Sequence, residues 1–337
     1  MSSSLHTHSA YSLLDGFSMP EENLKRASEL GLKAIAITEH GEVTSWPYYS
    51  ELQDKYQDVK LLYGIEAYEC SDREVKDPDN KYWHLILIAR NELGRQAINR
   101  LSTLGHLHGF YSKPRISLSD IAKEDTDNFI VTSACLASHL SREKDYEKCI
   151  ALVNEYKAVC KHFYLEIQAH DNATQAEYNQ KIMRLSKDTN TKVVVTNDVH
   201  AATKEDLKYQ DVFVRIANDR ETAAEIYDGC YFMSDSEIHT VLDKQIGADA
   251  VERCLRNTDE VADLCEAVTM PWHEPELPKI QIPPQYASSA AYLRDLVKQG
   301  FARRGCDKFD AEKQRIYKQR VKEELEVIEK KDFCDYF

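Results

Sequence analysis

His6-Thr7-His8 is the most pointed chemical signal in the chain, because two imidazoles two residues apart on an extended segment face the same side and can share a metal ion. Asp15 follows a short way on. Four later segments each place a ligand-type residue within a few residues after a run of apolar, β-branched residues. Glu39-His40 follows Lys33–Thr38, Glu66 follows Lys60–Tyr63 and Gly64, Cys135 follows Phe129–Thr132, and Asp198-x-His200 follows Lys192–Thr196. In β/α barrels the catalytic groups collect at the C-terminal ends of the strands, where successive loops converge on one mouth. Any one of these positions is an ordinary polar strand end. Chain-distant segments that all obey the same rule describe a site.

The donor types set the chemistry. Several His, two or more carboxylates and one Cys suit zinc, manganese or iron better than calcium, and carboxylate bridging holds ions close together. Two ions about 4 Å apart activate a water between them and bind phosphoryl oxygens, which makes phosphoester hydrolysis the matching reaction and a separate general base unnecessary. The chain has no G-x-x-x-x-G-K-[ST] loop, no G-x-G-x-x-G and no G-x-S-x-G elbow. Among His and Asp strand ends, Cys135 fits a ligand better than a nucleophile. His84 starts its predicted strand beside Trp83, so by position alone it reads as a partly buried core histidine. His106, His108, His139, His162 and His170 read as solvated or core imidazoles. Glu166 is open between ligand and a group that orients a neighbouring ligand.

The elements that must position these groups alternate along the chain. Ser18-Met19-Pro20-Glu21 offers an N-cap, an early helical Pro and a capping-box Glu; Leu24, Ala27, Leu30 and a closing Gly31 complete the helix before the strand at Lys33–Thr38. Further strands are predicted at Lys60–Tyr63, His84–Ala89, Phe129–Thr132, Phe163–Ile167 and Lys192–Thr196, with helices between most of them. About seven strands in this order make a mainly parallel barrel or a doubly wound sheet. The stretch Gln210–Ser236 carries no clear pattern. Met270-Pro271-Trp272-His273-Glu274-Pro275-Glu276-Leu277-Pro278 is too rich in proline for a helix or central strand and marks a domain boundary; helices are predicted beyond it at Ser289–Arg304 and Ala311–Lys330.

With 337 residues the chain has room for one barrel-sized domain and an appendage. Its formal net charge of −14 excludes a globally basic nucleic-acid binder but not a DNA-acting enzyme whose positive field comes from bound ions. The nine cysteines form no C-x-x-C pair, so neither a zinc ribbon nor a disulfide frame is indicated. Without a long apolar run or a basic, apolar leader the chain reads as cytoplasmic.

Extended motifs surround the candidate residues: Leu5-His6-Thr7-His8-Ser9-x-Tyr11-Ser12-Leu13-Leu14-Asp15-Gly16, Ala36-Ile37-Thr38-Glu39-His40-Gly41, Gly64-Ile65-Glu66, His84-Leu85-x-Leu87-x-Ala89, Gly109-Phe110-Tyr111-x-Lys113-Pro114-Arg115 and Thr196-Asn197-Asp198-Val199-His200. Asn257-Thr258-x-Glu260-Val261-Ala262, Leu277-Pro278 and Glu323-Glu324-Leu325-Glu326-Val327-Ile328 continue them. In these stretches the chain resembles the N-terminal region of the bacterial DNA polymerase III alpha subunit, which carries a PHP (polymerase and histidinol phosphatase) domain.

The resemblance implies an α/β fold, with a distorted seven-stranded β/α (TIM-like) barrel of the PHP type over residues 1–268 and a short, mainly helical start of a polymerase palm over 269–337. It implies about three divalent ions, zinc or manganese first and iron or magnesium as alternatives. Nine ligands carry over: His6, His8, Asp15, His40, Glu66, His84, Cys135, Asp198 and His200, with Glu66 bridging and Asp15, Glu66 and Asp198 catalytic. His84 is thereby promoted above its position-based reading. The implied activity is a proofreading 3′-to-5′ exonuclease of a DNA-directed DNA polymerase. Members that have lost ligands use the domain as a structural platform, and a small-molecule phosphatase is a third reading. Implied partners are a DNA 3′ end, the remaining palm, fingers and thumb in cis or as a separate chain, and other replisome subunits, with no membrane. Lys113 and Arg115 would lie near the mouth and contact phosphates. In such polymerases a Gly-rich nucleotide-binding segment and the catalytic aspartates follow Phe333–Phe337, so a fragment unable to polymerise DNA alone is expected.

Overall fold

The computed structural model describes residues 2–76, 78, 82–218, 228–271 and 276–337. Nine strands are described: β1 Ser4–Thr7, β2 Ala34–Ile37, β3 Lys60–Cys70, β4 Trp83–Ala89, β5 Phe110–Tyr111, β6 Lys113–Ser117, β7 Phe129–Thr132, β8 Phe163–Gln168 and β9 Val193–Thr196. They pair in the order β1-β2-β3-β4-β7-β8-β9, and the β5–β6 hairpin branches from β3. Just beyond β9 the chain returns to β1: His8 N donates to Val199 O at 2.7 Å and Val199 N to His6 O at 3.0 Å. These bonds bring the two ends of the seven-strand path together, giving the barrel-like sheet expected.

Most pairs are parallel, but β4 runs antiparallel to both β3 and β7. This one reversal matters for the site. The start of β4 lies at the end of the barrel where the other strands finish, with His84 opposite Tyr68 and Ile86 opposite Glu66.

β2, β7 and β9 are buried at every position, as expected of strands covered on both faces. An inner apolar cluster gathers Leu62, Ile86, Ile130, Tyr164 and Val194, with Val261 and Ala262 from the helix Ala248–Leu264. Two residues along the same faces come Thr132 after Ile130, Glu166 after Tyr164, Thr196 after Val194 and His84 before Ile86. Strand periodicity therefore stacks a polar layer on an apolar floor. A larger apolar cluster lies between strands and outer helices, with Ile37, Leu87, Val131, Leu165 and Val195 from the alternate strand positions.

Helices Pro20–Leu30, Glu92–His108, Tyr146–Val159 and Ala173–Thr189 connect the strands. The first begins at Pro20, with Glu22 Oε2 accepting from Met19 N at 2.7 Å. Met19, not Ser18, is its N-cap; Ser18 Oγ instead accepts from Ala202 N at 2.6 Å. Asn91 and Asn172 cap two of the others by accepting from Gly94 N and Gln175 N.

Two predicted boundaries move. The strand predicted to stop before Gly64 runs on to Cys70, so Glu66 is inside β3 rather than beyond it. Gly64 marks a close approach: a Cβ there would meet Leu87 O at 2.6 Å. The β5–β6 hairpin was not anticipated. In the patternless stretch, a helix covers Leu207–Asn218, and residues 219–227 lie outside the described residues.

The chain divides into two compact units, Met1–Met270 and Pro271–Phe337. Residues 272–275 of the proline-punctuated segment lie outside the described residues. The second unit contains the helices Ser289–Arg303 and Ala311–Lys330, tied by a two-pronged pair of Arg294 with Glu329.

Candidate metal centre

All nine residues singled out by motif converge at one end of the barrel, around Glu66. Its Oε1 lies 3.2 Å from His6 Nε2, 2.9 Å from His84 Nδ1 and 3.6 Å from Cys135 Sγ. Its Oε2 lies 2.6 Å from His40 Nδ1 and 3.5 Å from His8 Nε2. Asp198 Oδ1 approaches His6 Nε2 at 3.0 Å and His8 Nε2 at 3.3 Å, while Asp15 Oδ2 lies 2.9 Å from His40 Nε2 and 3.6 Å from His200 Nε2.

Local structure explains each placement. β1 carries His6 and leads directly to His8. A turn with Asp15 N and Gly16 N both donating to Ser12 O brings Asp15 back over the mouth. Gly16 is needed there because a Cβ would meet Ser9 O at 2.1 Å. A bridge between His40 and Glu66 extends the β2–β3 pairing. Asp198 takes a left-handed backbone conformation, φ 51°, in the loop after β9.

The hydrogen bonds behind the site fix ring orientations. His6 Nδ1 lies 2.8 Å from Glu166 Oε1, which also accepts from Thr196 Oγ1 at 2.7 Å. Of its two readings, Glu166 thus takes the one that orients a neighbour. Ser12 Oγ donates to Glu39 Oε2 at 2.5 Å and so accepts from His8 Nδ1 at 2.9 Å. With both outer nitrogens committed as donors, His6 Nε2 and His8 Nε2 face each other at 3.1 Å, a spacing that a shared proton or a metal ion bound by both rings satisfies.

Several buried atoms have no hydrogen-bond partner: Asp15 Oδ1, His40 Nδ1, Glu66 Oε2 and Asp198 Oδ1. His40 Nδ1 and Glu66 Oε2 are close, yet are not aligned for a hydrogen bond to each other. Such orphaned polar atoms are costly in a buried cleft unless they point at a common ion. Burial raises the carboxyls of Asp15, Glu66 and Asp198, but facing imidazoles outweigh it and hold all three well below the usual carboxylate range. Burial, with His40 and His200 nearby, pushes His8 down to about 3. Burial also opposes a charge on His6, but Asp198, Glu166 and Glu66 overcome it and raise that group well above its ordinary value. The centre attracts positive charge between fixed anions.

Three groups of these atoms each lie within 4.8 Å of one another: His6, His8 and Asp198; His40, Glu66 and His84; and His8, His40 and His200. The mix of imidazole, carboxylate and thiol fits divalent metal ions.

Residues 4–170 match the family model of the PHP domain. This part of the chain is a PHP domain. The whole chain is homologous to the N-terminal region of DNA polymerase III subunit alpha. It is 30% identical over 365 residues to that subunit of Helicobacter pylori (strain ATCC 700392 / 26695), covering 98% of this chain and 29% of the relative. It is 30% identical over 357 residues to that of Aquifex aeolicus, covering 99% and 30%. The chain thus spans about 30% of the length of these curated relatives. Among solved structures, one similar chain is described as a metal-dependent phosphoesterase from Bifidobacterium adolescentis, with 13% identity, a TM-score of 0.41, and 72% of this chain and 96% of that chain covered.

Other sequence candidates fall elsewhere. His139 stacks on Trp83 with ring centroids 3.7 Å apart, and His162 Nε2 pairs with Asp127 Oδ1 at 2.8 Å. His106 and His108 are exposed on the helix Glu92–His108. Arg115 does not reach the mouth. It is fully buried, and its guanidinium donates to the backbone oxygens of Gly109, Val75 and Arg73 at 2.8–3.1 Å. Lys113 is exposed beside the PHP cleft, with its ammonium 5.2 Å from the Tyr68 ring centroid.

Two residues near the centre were missed or demoted from sequence. Cys230 and His170 both line the cleft with Asp15, His40, His84, Cys135, Asp198 and His200. Burial raises the Cys230 thiol, but the His170 imidazole outweighs it and holds the thiol below its ordinary value. No spacing pattern marks Cys230, which lies in the stretch where sequence periodicity fails.

Proposed function

We propose that this PHP domain holds divalent metal ions and hydrolyses phosphodiester bonds at a DNA 3′ end, as the proofreading exonuclease of a DNA polymerase III alpha subunit. The observation that carries the reading is the gathering of eight further ligand-type side chains around the buried carboxylate of Glu66. His6, His8, Asp15, His40, Glu66, His84, Cys135, Asp198 and His200 would hold the ions, about three in number by the family resemblance. Zinc or manganese suits these donors best. Bound ions supply Lewis acidity toward phosphoryl oxygens and activate water for in-line attack.

The chain's own residues do the rest. Glu166 and Ser12 hold the His6 and His8 rings with their Nε2 atoms inward. Glu66 is positioned between the imidazoles, and Asp15 and Asp198 approach them from the two loops. Substrate recognition is assigned to a neighbouring cleft of about 620 Å³, lined by Tyr68, Tyr82, Phe110 and Lys113 beside Asp15, His40 and His84. That volume accommodates a nucleotide-sized ligand. The Tyr68 and Tyr82 rings pack edge to face, 4.8 Å between centroids, and Phe110 is 58% exposed. An aromatic wall with one cation at its rim suits an unpaired base and its phosphate.

The test is replacement of the three carboxylates, Asp15→Asn, Glu66→Gln and Asp198→Asn. Each should abolish release of a 3′ label from primer DNA while circular dichroism shows most of the fold retained. Metal-dependent cleavage at the original rate in all three would refute the assignment.

A further inference from the structure

Among the nine cysteines, Cys135 and Cys230 are the ones described as lining the cleft of the metal centre. Cys135 sits against His84 and Glu66, at 3.5 and 3.6 Å. Cys230 lies with Asp198 and His200, and the proposed ligand set does not include it.

Its place is fixed by the backbone. Cys230 O accepts from His200 N at 2.8 Å and from Ala201 N at 3.1 Å, and Tyr231 bridges Ala201. Its side chain is buried, and one ligand atom each from Asp198, His200 and Cys230 lie within 4.8 Å of one another. Asp198 Oδ1 is buried without a hydrogen-bond partner, which leaves this carboxylate in want of a cation. Cys230 Sγ also lies 3.8 Å from His170 Nε2, which is 2.9 Å from Asn197 O.

We propose that Cys230 is a metal ligand, forming with Asp198 and His200 a coordination position for a thiophilic divalent ion. The position is separate from that of Cys135 with His84 and Glu66. The inference rests on the reading of the cleft as a metal centre and adds a second sulfur to it. On coordination the thiol gives up its proton to solvent and binds as the thiolate, so zinc, cobalt or ferrous iron is favoured over magnesium or manganese.

Cobalt is the probe, since thiolate-to-cobalt charge transfer in the near ultraviolet reports sulfur ligation without any turnover. The full chain is loaded with cobalt and its band compared in Cys135→Ser, Cys230→Ser and the double variant. Each single variant should keep about half of the band and the double variant should lose it. A band abolished by Cys135→Ser and untouched by Cys230→Ser overturns this proposal while leaving the metal centre standing. Absence of tight cobalt binding to the wild-type chain overturns both. Should Cys230→Ser fail to fold, X-ray absorption of the zinc-loaded wild-type chain decides: two sulfur ligands per chain support the assignment, and one contradicts it.

Discussion

His6 Nε2 and His8 Nε2 face each other across 3.1 Å while Glu166 and Ser12 occupy the nitrogens behind them. The centre is therefore preorganised from outside, by groups that need not touch an ion. Glu166→Gln keeps the shape and an acceptor oxygen but removes the charge behind His6. Loss of such a supporting carboxylate typically costs 10–100-fold in metal affinity or activity. Titration of the metal-depleted chain with zinc should show weakened binding of that order, with the melting temperature of the metal-free protein little changed. Unaltered affinity would show that His6 needs no such support.

A different carboxylate contributes to the pH dependence of folding. Glu69 faces away from the centre, buried in the outer layer, where it accepts from Tyr156 Oη. Burial raises its carboxyl from 4.5 to about 7, against the lowering effect of the Tyr156 hydrogen bond. Between these limits the folded chain keeps a proton that the unfolded chain has lost. Its contribution to stability accordingly falls as pH rises from 4.5 toward 7, by at most about 3 kcal/mol. Glu69→Gln should gain stability relative to wild type over that interval in paired urea melts. Parallel stability profiles would show that Glu69 ionises normally.

The aromatic wall makes a separate prediction about substrate. Tyr82 packs on Tyr68 and borders His84 without belonging to the ligand set. A base stacked on an aromatic ring contributes about 1–3 kcal/mol. Tyr82→Ala should raise KM for a single-stranded 3′ end by roughly 5- to 150-fold at unchanged metal content. An unchanged KM would place the terminal base elsewhere.

Much of this arrangement is legible in the sequence because strand-end ligands need only an apolar run and a polar residue after it. His40, Cys135, Asp198 and His200 obey that rule. His84 does not, since the rule assumes parallel strands and β4 is reversed; its pairing with Tyr68 is a long-range fact no local pattern carries. Glu66 is displaced from expectation because Gly64 serves a close approach to Leu87 rather than a strand end. Arg115 looked like a surface cation because its backbone acceptors at Arg73 and Val75 are remote in sequence. Cys230 reaches the cleft through backbone hydrogen bonds to the segment after β9, which no spacing within its own stretch reveals.

The central claim is tested most directly by manganese-dependent degradation of a 3′-labelled primer by the purified chain, run beside His8→Ala and an EDTA control. Progressive loss of the label, abolished in both controls, is the result predicted. Tight binding of divalent ions with no release of label under the same conditions would contradict an exonuclease in this chain and leave the metal ions to brace the barrel.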